Sequence, residues 1–252
     1  MLLKDRLEAI RNIITEETRV QVSQLSGKFG VTEETIRRDL EKLEAEGVLS
    51  RTYGGAILNE KSLTEGVHYF KRATINVEAK KYIAQKALAC VQNSYTIGLD
   101  SSTTAIELLR LLKRRDDITV VTNSAVAITE LAQSKMNVLS TGGMLHKQSL
   151  SLQGHVAKLA LSNYNIDVAL ISCKGLSLEQ GASDSDESES EVKQAMIEKA
   201  NKVILLVDHS KFDKVAFVRI ADLDQFDLIV TDREPNREWK EKLASLSVDV
   251  IY

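Results

Sequence analysis

The segment "GVTEETIRRDLEKLEAEG", residues 30–47, has the apolar spacing of a helix that buries one face. Ile36, Leu40 and Leu43 recur at the i, i+4, i+7 spacing, which places them within about 60° of arc on a helical wheel. Thr32 precedes this stripe as a candidate N-cap, and two glutamates follow it in the first turn. The pattern predicts a short helix with a polar outer half.

The outer half of this helix carries two adjacent arginines. Thr35, Arg37 and Arg38 lie on its first turns, and Lys42 lies on its flank. The planar guanidinium of arginine can bind guanine O6 and N7, or a phosphate, through two hydrogen bonds. One interpretation is a solvated face with ion pairs, because acids surround the arginines. The other is a face that contacts a partner, on which the acids moderate the positive charge.

The surrounding sequence favours the second interpretation. Helical periodicity from residue 4 to about 46 predicts three helices, with Gly30 in the tight turn between the second and third. Residues 48–58, "VLSRTYGGAIL", place two β-prone runs around a Gly-Gly pair, as in a hairpin. Three helices and a hairpin form a winged helix-turn-helix, whose third helix lies in the major groove of DNA. DNA binding is therefore favoured over a simple packing domain.

The composition makes any DNA-binding surface local. The chain has 252 residues, 43% of them hydrophobic, and a formal net charge of −3. It lacks the overall positive charge that would coat nucleic acid nonspecifically. Cys90 and Cys173 lie far apart, which argues against a disulfide framework or a zinc site. The sequence shows no signal-peptide core and no apolar run that could span a membrane, and we expect a cytoplasmic protein.

From residue 76 the pattern changes to alternating strands and helices. The predicted strands are short apolar runs at 95–100, 118–122, 137–141, 167–172, 202–208, 226–232 and 248–252. The predicted helices lie at 78–91, 103–113, 124–134, 153–162, 188–200 and 236–245. Such alternation predicts an α/β domain with a mainly parallel sheet, covered on both faces. We therefore expect a winged helix-turn-helix domain at 1–58, a linker at 59–75 and an α/β domain at 76–252.

The strand at 95–100 leads directly into a run of hydroxyl side chains, "DSSTTA", residues 100–105. Backbone N–H groups, hydroxyl donors and the positive end of a helix dipole at such a turn can bind a phosphate. Ordinary helix capping is the alternative, because serine and threonine cap helices in many contexts. Capping needs one such residue, so four in a row favour phosphate binding.

Other predicted strands also end in polar or glycine residues. Asn123 follows the second strand, Gly142 and Gly143 follow the third, and Lys211 follows the strand at 202–208. Because ligands bind at the carboxyl ends of parallel strands, these residues predict a pocket with an anion-binding side. Each residue alone is also compatible with turn chemistry.

The segment "GASDSDESESEVKQ", residues 181–194, is acidic and rich in serine. We expect a solvated loop leading into a helix. As an alternative, Glu187, Glu189 or Glu191 could enter the pocket and bind the hydroxyls of a polyol. The four histidines show no metal-ligand spacing, and the sequence contains no nucleotide-binding motif. It therefore predicts neither a metal nor a cofactor, and no catalytic residue.

The sequence resembles the DeoR family of transcriptional regulators nearly from end to end. The N-terminal resemblance lies in "VSQLSGKFGVTEETIRRDLEKLEAEGVLSRTYGGA"; the C-terminal one lies in "IGLDSSTTA", "VVTNS", "STGG", "SLQG", "EVKQAMIEKA" and "LLVDHSKF". The resemblance implies a winged helix joined to a sensor domain related to sugar-phosphate isomerases. It implies a regulator, usually a repressor, of a carbohydrate operon, whose DNA binding responds to a phosphorylated sugar.

The resemblance also implies roles for individual residues. DNA contacts would come from Thr35, Arg37, Arg38 and Lys42, with support from the wing residues Arg51 and Tyr53. The effector pocket would contain Asp100, Ser101, Ser102, Thr103, Thr104, Asn123, Gly142, Gly143 and Lys211. Ser102 stands where relatives commonly have glycine, so it either narrows the phosphate cradle or adds a hydroxyl to it.

The partners expected are double-stranded operator DNA, a phosphorylated sugar and further copies of the chain, in a dimer or tetramer, with no membrane. The alternative function is a sugar-phosphate isomerase or deaminase that carries a DNA-binding module. Lys211 and nearby carboxylates would then supply acid–base chemistry. We favour a regulator that is not an enzyme, because the sequence shows no convincing carboxylate pair at fixed positions.

Overall fold

The computed structural model describes residues 3–17, 19–45, 48–58, 68–92 and 95–252. The chain divides into two compact units, residues 1–62 and 63–252. In the described ranges, no helix is both long enough and apolar enough to span a membrane.

The first unit is a winged helix-turn-helix, as predicted. Its elements are α1 (Leu3–Glu17), β1 (Arg19–Gln21), α2 (Val22–Phe29), α3 (Glu33–Ala45), β2 (Leu49–Thr52) and β3 (Gly55–Leu58). The three strands form an antiparallel sheet in the order β1-β3-β2. Strand β1 was not predicted, because three residues show too little alternation. Its central residue, Val20, is buried in the core of this unit.

Two glycines of the first unit hold positions that a side chain would disturb. Gly30 ends α2 in the left-handed conformation, with φ of 63°, and so makes the tight turn before α3. A Cβ on Gly55 would lie 2.1 Å from the carbonyl oxygen of Val20. Gly55 therefore lets β1 pair closely with β3.

The second unit contains α4 (Tyr69–Thr74), α5 (Val77–Leu88), β4 (Thr96–Leu99), α6 (Thr103–Leu112), β5 (Thr119–Thr122), α7 (Ala125–Leu131), β6 (Asn137–Ser140), β7 (Met144–His146), β8 (Ser151–Gln153), α8 (His155–Leu161), β9 (Ile166–Ile171), β10 (Gly175–Ser177), β11 (Gly181–Asp184), α9 (Glu187–Lys199), β12 (Ala200–Leu206), β13 (Val218–Ala221), β14 (Leu228–Val230), α10 (Arg237–Ser245) and β15 (Asp249–Ile251). Helix α4 lies within the predicted linker, whose residues 59–67 fall outside the described ranges.

All seven predicted strands belong to one parallel sheet, with the order β15-β14-β12-β9-β4-β5-β6. Two hydrophobic clusters, one on each face, bury its side chains, so the central strands are continuous apolar runs. The strand order reverses between β4 and β9, because the chain builds outward from β4 in both directions. In open α/β sheets, ligands bind outside the carboxyl ends of the strands at such a switch point.

Two smaller antiparallel sheets accompany the main sheet and were not predicted. Strands β7 and β8 form a hairpin, and β10, β11 and β13 form a three-stranded sheet. The second of these corrects the prediction of a solvated loop at 181–194. Residues Gly181–Asp184 are a fully buried strand, and α9 begins at Glu187.

Candidate functional site

The outer face of α3 presents the predicted DNA-contacting side chains together. The side chains of Arg37 and Arg38 are 53% and 74% exposed, and Lys42 is exposed. Thr35 is half-buried, and its hydroxyl lies 2.9 Å from that of Thr32. The backbone N–H of Thr35 also donates to the Thr32 hydroxyl, so Thr32 caps the helix as predicted. One helix face thus offers three cations and a hydroxyl.

The arginines of this face are paired with acids one turn earlier. Arg37 lies 2.8 Å from Glu33, and Arg38 lies 3.4 Å from Glu34. Exposed pairs of this kind contribute little free energy, typically about 0.2–1 kcal/mol. The guanidinium groups can therefore leave these carboxylates at little cost when an anionic partner binds. The two interpretations of this face, exposed ion pairs and a surface for a partner, are therefore compatible.

A buried ion pair positions α3, and the sequence analysis missed it. In the sequence, Asp39 is one of the acids that lie next to the arginines. In the structure Asp39 is 2% exposed, and its carboxylate accepts a hydrogen bond of 2.5 Å from Arg6 Nε. This bond raises the pKa of Arg6 despite the opposing effect of burial. Asp39 follows Arg38 directly, so the bond to α1 orients the turn that carries the arginines.

The two wing residues predicted to contact DNA, Arg51 and Tyr53, have different surroundings in the structure. Tyr53 is fully exposed at the tip of the hairpin. Arg51 instead binds back to α3, since its Nε lies 2.6 Å from Glu44 Oε2 and its backbone N–H donates to Glu44 Oε1. These two hydrogen bonds lower the pKa of Glu44, and the side-chain bond raises the pKa of Arg51. The geometry makes Arg51 a positioning residue for the wing.

In the second unit, the loop after β4 lies at the switch point of the sheet. Asp100, Ser101, Ser102, Thr103 and Thr104 are all buried, at 6% exposure or less. The Ser102 hydroxyl accepts from the Ala105 N–H, so Ser102 is the N-cap of α6. Within the described part of the chain, no protein group is hydrogen-bonded to the hydroxyls of Thr103 and Thr104. Capping thus uses one of the hydroxyls and leaves two for a ligand.

Asp100 was predicted as a ligand contact, but the protein itself occupies its carboxylate. One oxygen accepts from the Ser102 N–H at 3.0 Å, and the other accepts from the Ser172 N–H at 2.9 Å. The second oxygen also lies 3.4 Å from Lys193 Nζ. These bonds hold the β4 loop against the end of β9. Asp100 therefore fixes the position of the β4 loop through its hydrogen bonds to the backbone.

Lys193 is the centre of a buried charge network that the sequence did not reveal. Its ammonium group donates to Asp184 Oδ2 at 2.6 Å and to the Ser172 carbonyl at 2.8 Å. Burial opposes the charged forms, but Asp184 and Asp100 raise the pKa of Lys193. Burial likewise opposes ionisation of Asp184, yet Lys193 and Lys174 lower its pKa to about 2. Lys193 and Asp184 are therefore both charged at neutral pH.

The acidic segment supplies one carboxylate to the hydroxyl loop, as the alternative interpretation anticipated. Glu189 is 3% exposed and accepts a 2.7 Å hydrogen bond from the Ser101 hydroxyl. Glu187 is exposed and Glu191 is half-buried. Lys174, which follows β9, lies 3.4 Å from Asp184 and also donates to Ser185. A polar strand end after "DVALIS" was the only signal for Lys174.

Lys211 lies in a short 3-10 turn after β12. It is half-buried, and among the described residues no side chain forms a hydrogen bond or ion pair with its ammonium group. Asn76, at the start of α5, donates to Asp208 at 3.0 Å and thereby ties this turn to α5. Lys80 of the same helix has a pKa of about 8, lowered by burial and then by the charge of Lys211. Lys211 also lowers the pKa of Asp208 against the effect of burial, so this strand end contains two lysines and one buried carboxylate.

Asn123 has an unused acceptor. The residue is 1% exposed, and its Nδ2 donates to the Leu152 carbonyl at 3.2 Å. Its Oδ1 is buried with no hydrogen-bond partner among the described residues. A buried polar atom without a partner costs free energy, so this oxygen is available to a ligand hydroxyl.

Gly143, which follows β6, lies close to a neighbouring strand. Gly143 has φ of 108°, and a Cβ there would lie 2.5 Å from the Gln153 carbonyl oxygen. It permits close packing onto β8. Strands β6 and β12 are four positions apart in the sheet, or about 19 Å at 4.8 Å per strand. The sheet topology therefore separates the strand end that carries Gly142 and Gly143 from the strand end that carries Lys211.

The side chains of the described residues give no sign of a metal site. Within the described ranges, no group of three or more histidine, cysteine, aspartate or glutamate side chains could hold a metal ion. Cys173 is buried, and burial raises the pKa of its thiol to about 12. The thiol is therefore protonated at neutral pH.

Comparison with known proteins matches both units. A family model for the DeoR-like helix-turn-helix domain matches residues 6–62, and one for the DeoR C-terminal sensor domain matches residues 75–233. The chain is 32% identical to the putative aga operon transcriptional repressor of Escherichia coli O157:H7, covering 98% of this chain and 93% of that one. It is 35% identical to the L-fucose operon activator of Haemophilus influenzae, covering 90% and 91%. Among solved structures, ribose 5-phosphate isomerase A from Methanocaldococcus jannaschii aligns with a TM-score of 0.42 and 19% identity, over 54% of this chain and 55% of that one.

Proposed function

Because the chain belongs to the DeoR family of transcriptional regulators, we propose that it regulates a carbohydrate-metabolism operon, as a repressor, under the control of a phosphorylated sugar. The observation that carries the proposal is the combination of two sites on one chain. One is an outward helix face with paired arginines, and the other is a hydroxyl-lined loop at the switch point of a parallel sheet.

The DNA-binding part of the proposal rests on the first unit. Arg37 and Arg38 are exposed on the first turns of α3, where a recognition helix contacts base edges and phosphates. Thr35, Lys42 and Tyr53 extend this surface. The chain would bind its operator as a dimer or a larger oligomer, since one recognition helix contacts too few base pairs to identify a site in a genome.

The effector-binding part rests on the second unit. The N-terminus of α6, with the free hydroxyls of Thr103 and Thr104, offers donors and a positive dipole to a phosphate. Lys211 adds a positive charge that lies near Asp208 but has no salt bridge among the described residues. Glu189 and the free Oδ1 of Asn123 offer acceptors for sugar hydroxyls. For control of DNA binding, the effector must favour one arrangement of the chain over another, typically by about 1–3 kcal/mol.

The enzyme alternative receives less support. The buried carboxylates Asp100 and Asp184 and the ammonium group of Lys193 are bonded to one another and to the backbone. Groups held in this way serve to fix the site. We therefore propose that the chain is not an enzyme. Prolonged incubation with a panel of sugar phosphates should leave every one of them unchanged, and turnover above background would favour the alternative.

Replacing Arg38 with alanine should abolish specific DNA binding and leave the second unit folded. A lost bidentate contact to a base is worth about 1–3 kcal/mol per site, and a dimer loses two. An operator can first be selected from a random duplex pool with the wild-type protein, and affinities then measured by gel shift. Arg237→Ala is a matched control, because Arg237 also forms an exposed i, i+4 pair, with Glu241. Equal operator affinity of wild type and Arg38→Ala would remove the assigned contact.

A phosphorylated sugar should raise the melting temperature of the full chain, and its unphosphorylated parent should not. At a ligand concentration of about a hundred times Kd, binding stabilises the folded state by roughly 2.7 kcal/mol. Thr104→Val should reduce this shift. Thr129→Val is the control, since the Thr129 hydroxyl bonds the Ala125 carbonyl on α7, away from the site. If no phosphate ester shifts the melting temperature, the hydroxyl loop serves only to cap α6.

A further inference from the structure

A groove on the first unit runs between β1, α3 and the wing, and it contains a third arginine that the sequence analysis did not consider. Arg19, Gln21 and Ser23 line one side, and Glu33 and Arg37 line the other, with Tyr53 at the wing. A second depression, lined by Arg37, Glu44 and Arg51, shares Val22, Arg37, Thr52, Gly54 and Gly55 with the first. The two depressions are therefore neighbours, with Arg37 in the lining of both, and together they are called the channel here.

The charge of this channel comes from Arg19. Three arginines line it, and two of them are neutralised by nearby acids: Arg37 by Glu33 at 2.8 Å and Arg51 by Glu44 at 2.6 Å. Arg19 is exposed, and within the described ranges no residue forms an ion pair or hydrogen bond with its guanidinium. The channel thus has two paired cations and one unpaired cation.

The strand geometry directs Arg19 outward. Burial alternates along β1, with Val20 inside and its two neighbours outside, as the two-residue period of a strand requires. Arg19 lies opposite Ile57 of β3. The close approach of β1 to Gly55 keeps this strand against the wing hairpin, so Arg19 stands on the rim of the channel and beside the wing.

We infer that Arg19 binds a backbone phosphate of the DNA, a contact that fixes the position of the winged helix without reading sequence. This inference rests on the proposed DNA-binding function. An exposed guanidinium with no ion pair among the described residues is suited to binding a phosphate. It does not have to break an ion pair within the protein first, and it can form two parallel hydrogen bonds to the phosphate oxygens. Arg37 and Arg38 differ from Arg19 in that each has a carboxylate partner on its own helix, at 2.8 Å and 3.4 Å.

The test compares the full-length wild type with Arg19→Gln on two duplexes, the selected operator and a mixed-sequence duplex, over a series of salt concentrations. A phosphate contact contributes about 0.9 to the slope of log affinity against log salt, so Arg19→Gln should have a shallower slope by about this amount for each Arg19 engaged. The affinity advantage of the wild type should then fall about 3.5-fold between 50 and 200 mM salt for one engaged Arg19, and about 12-fold for the two of a dimer. Both duplexes should weaken by the same factor.

Controls separate this contact from general effects of charge and of folding. Arg19→Lys retains the charge and should retain the slope. Arg114→Gln removes an exposed, unpaired arginine of the second unit and should behave as wild type. Circular dichroism checks that Arg19→Gln is folded.

If the wild type binds duplex DNA and Arg19→Gln has the same affinity and slope, the inference is wrong, and Arg19 is only a solvated cation. A change on the operator alone would also overturn it, because that result indicates base recognition. If the wild type binds no duplex, the proposed function itself fails.

Discussion

Asp39→Ala should destabilise the DNA-binding unit by about 3 kcal/mol, because breaking a buried ion pair leaves an uncompensated charge. The variant leaves the Arg6 guanidinium, which is only 8% exposed, without its 2.5 Å hydrogen bond. The single tryptophan of the chain, Trp239, lies in the second unit. Circular dichroism should therefore show an early loss of helix on heating, while tryptophan fluorescence keeps the wild-type transition.

Two further variants test the cause of this loss. Glu33→Ala removes an exposed acid of the same helix, paired with Arg37, and should change stability by less than about 1 kcal/mol. The double variant Arg6→Met, Asp39→Leu removes both buried charges and should recover most of the lost stability, since apolar replacement of a buried pair is often neutral. Wild-type stability of Asp39→Ala would mean that the pair contributes nothing to the orientation of α3.

Lys193→Met should have an effect of similar or greater size on the second unit, about 3–5 kcal/mol. The variant leaves the carboxylates of Asp184 and Asp100 buried, with Lys174 as the remaining nearby cation of Asp184. Because Asp100 holds the β4 loop, effector stabilisation should also be lost. Tryptophan fluorescence reports this unit directly. Lys199→Met, at the end of the same helix, is the control, since Lys199 is exposed.

The pH dependence gives an independent readout of this network. The pKa of Asp184 is lowered to about 2 in the folded protein, from an ordinary value near 4. A lowered folded-state pKa stabilises the protein above the unfolded pKa, and this contribution is lost as the pH falls from about 4 to about 2. Lys193→Met removes the main cause of the lowering, so the stability difference between wild type and variant should narrow over this range. A constant difference would contradict the role of Asp184.

The central strands of the main sheet could be predicted from the sequence because they are buried on both faces. Their apolar residues follow one another with little interruption, as in Val168–Ile171, and this pattern is visible without knowledge of the neighbouring strands. Strand β11 could not be predicted in this way. Residues Gly181–Asp184 form a tetrapeptide that contains a glycine and two polar residues. It can be buried because its polar side chains form hydrogen bonds with groups from other parts of the chain. Ser183 donates to the Gly175 carbonyl, and Asp184 binds Lys193.

The candidate sites show the same division. The exposed arginines of α3 follow from helical periodicity alone, because a known apolar stripe defines the opposite face. Asp39 occupies the same helix, yet its burial depends on Arg6 of α1, and periodicity contains no information on that partner. Lys193 and Asp100 likewise meet only because the strand order reverses between β4 and β9. Local sequence patterns predict which helix face is exposed and where strands end. The partners of buried charged residues can be identified only once the order of the helices and strands in the fold is known.

The bond between Arg51 and Glu44 has a consequence for the shape of the operator. Two hydrogen bonds, from the Arg51 backbone and from its guanidinium, join the first strand of the wing to the last turns of α3. These bonds favour one distance between α3 and the wing in the absence of DNA, although an exposed ion pair of this kind contributes only about 0.2–1 kcal/mol. On the proposed DNA-binding function, we expect duplexes whose groove width matches this distance to bind without distortion, and others to change their groove width at a cost that depends on base sequence. The chain would then discriminate between duplexes partly by their stiffness, at base pairs that no side chain contacts.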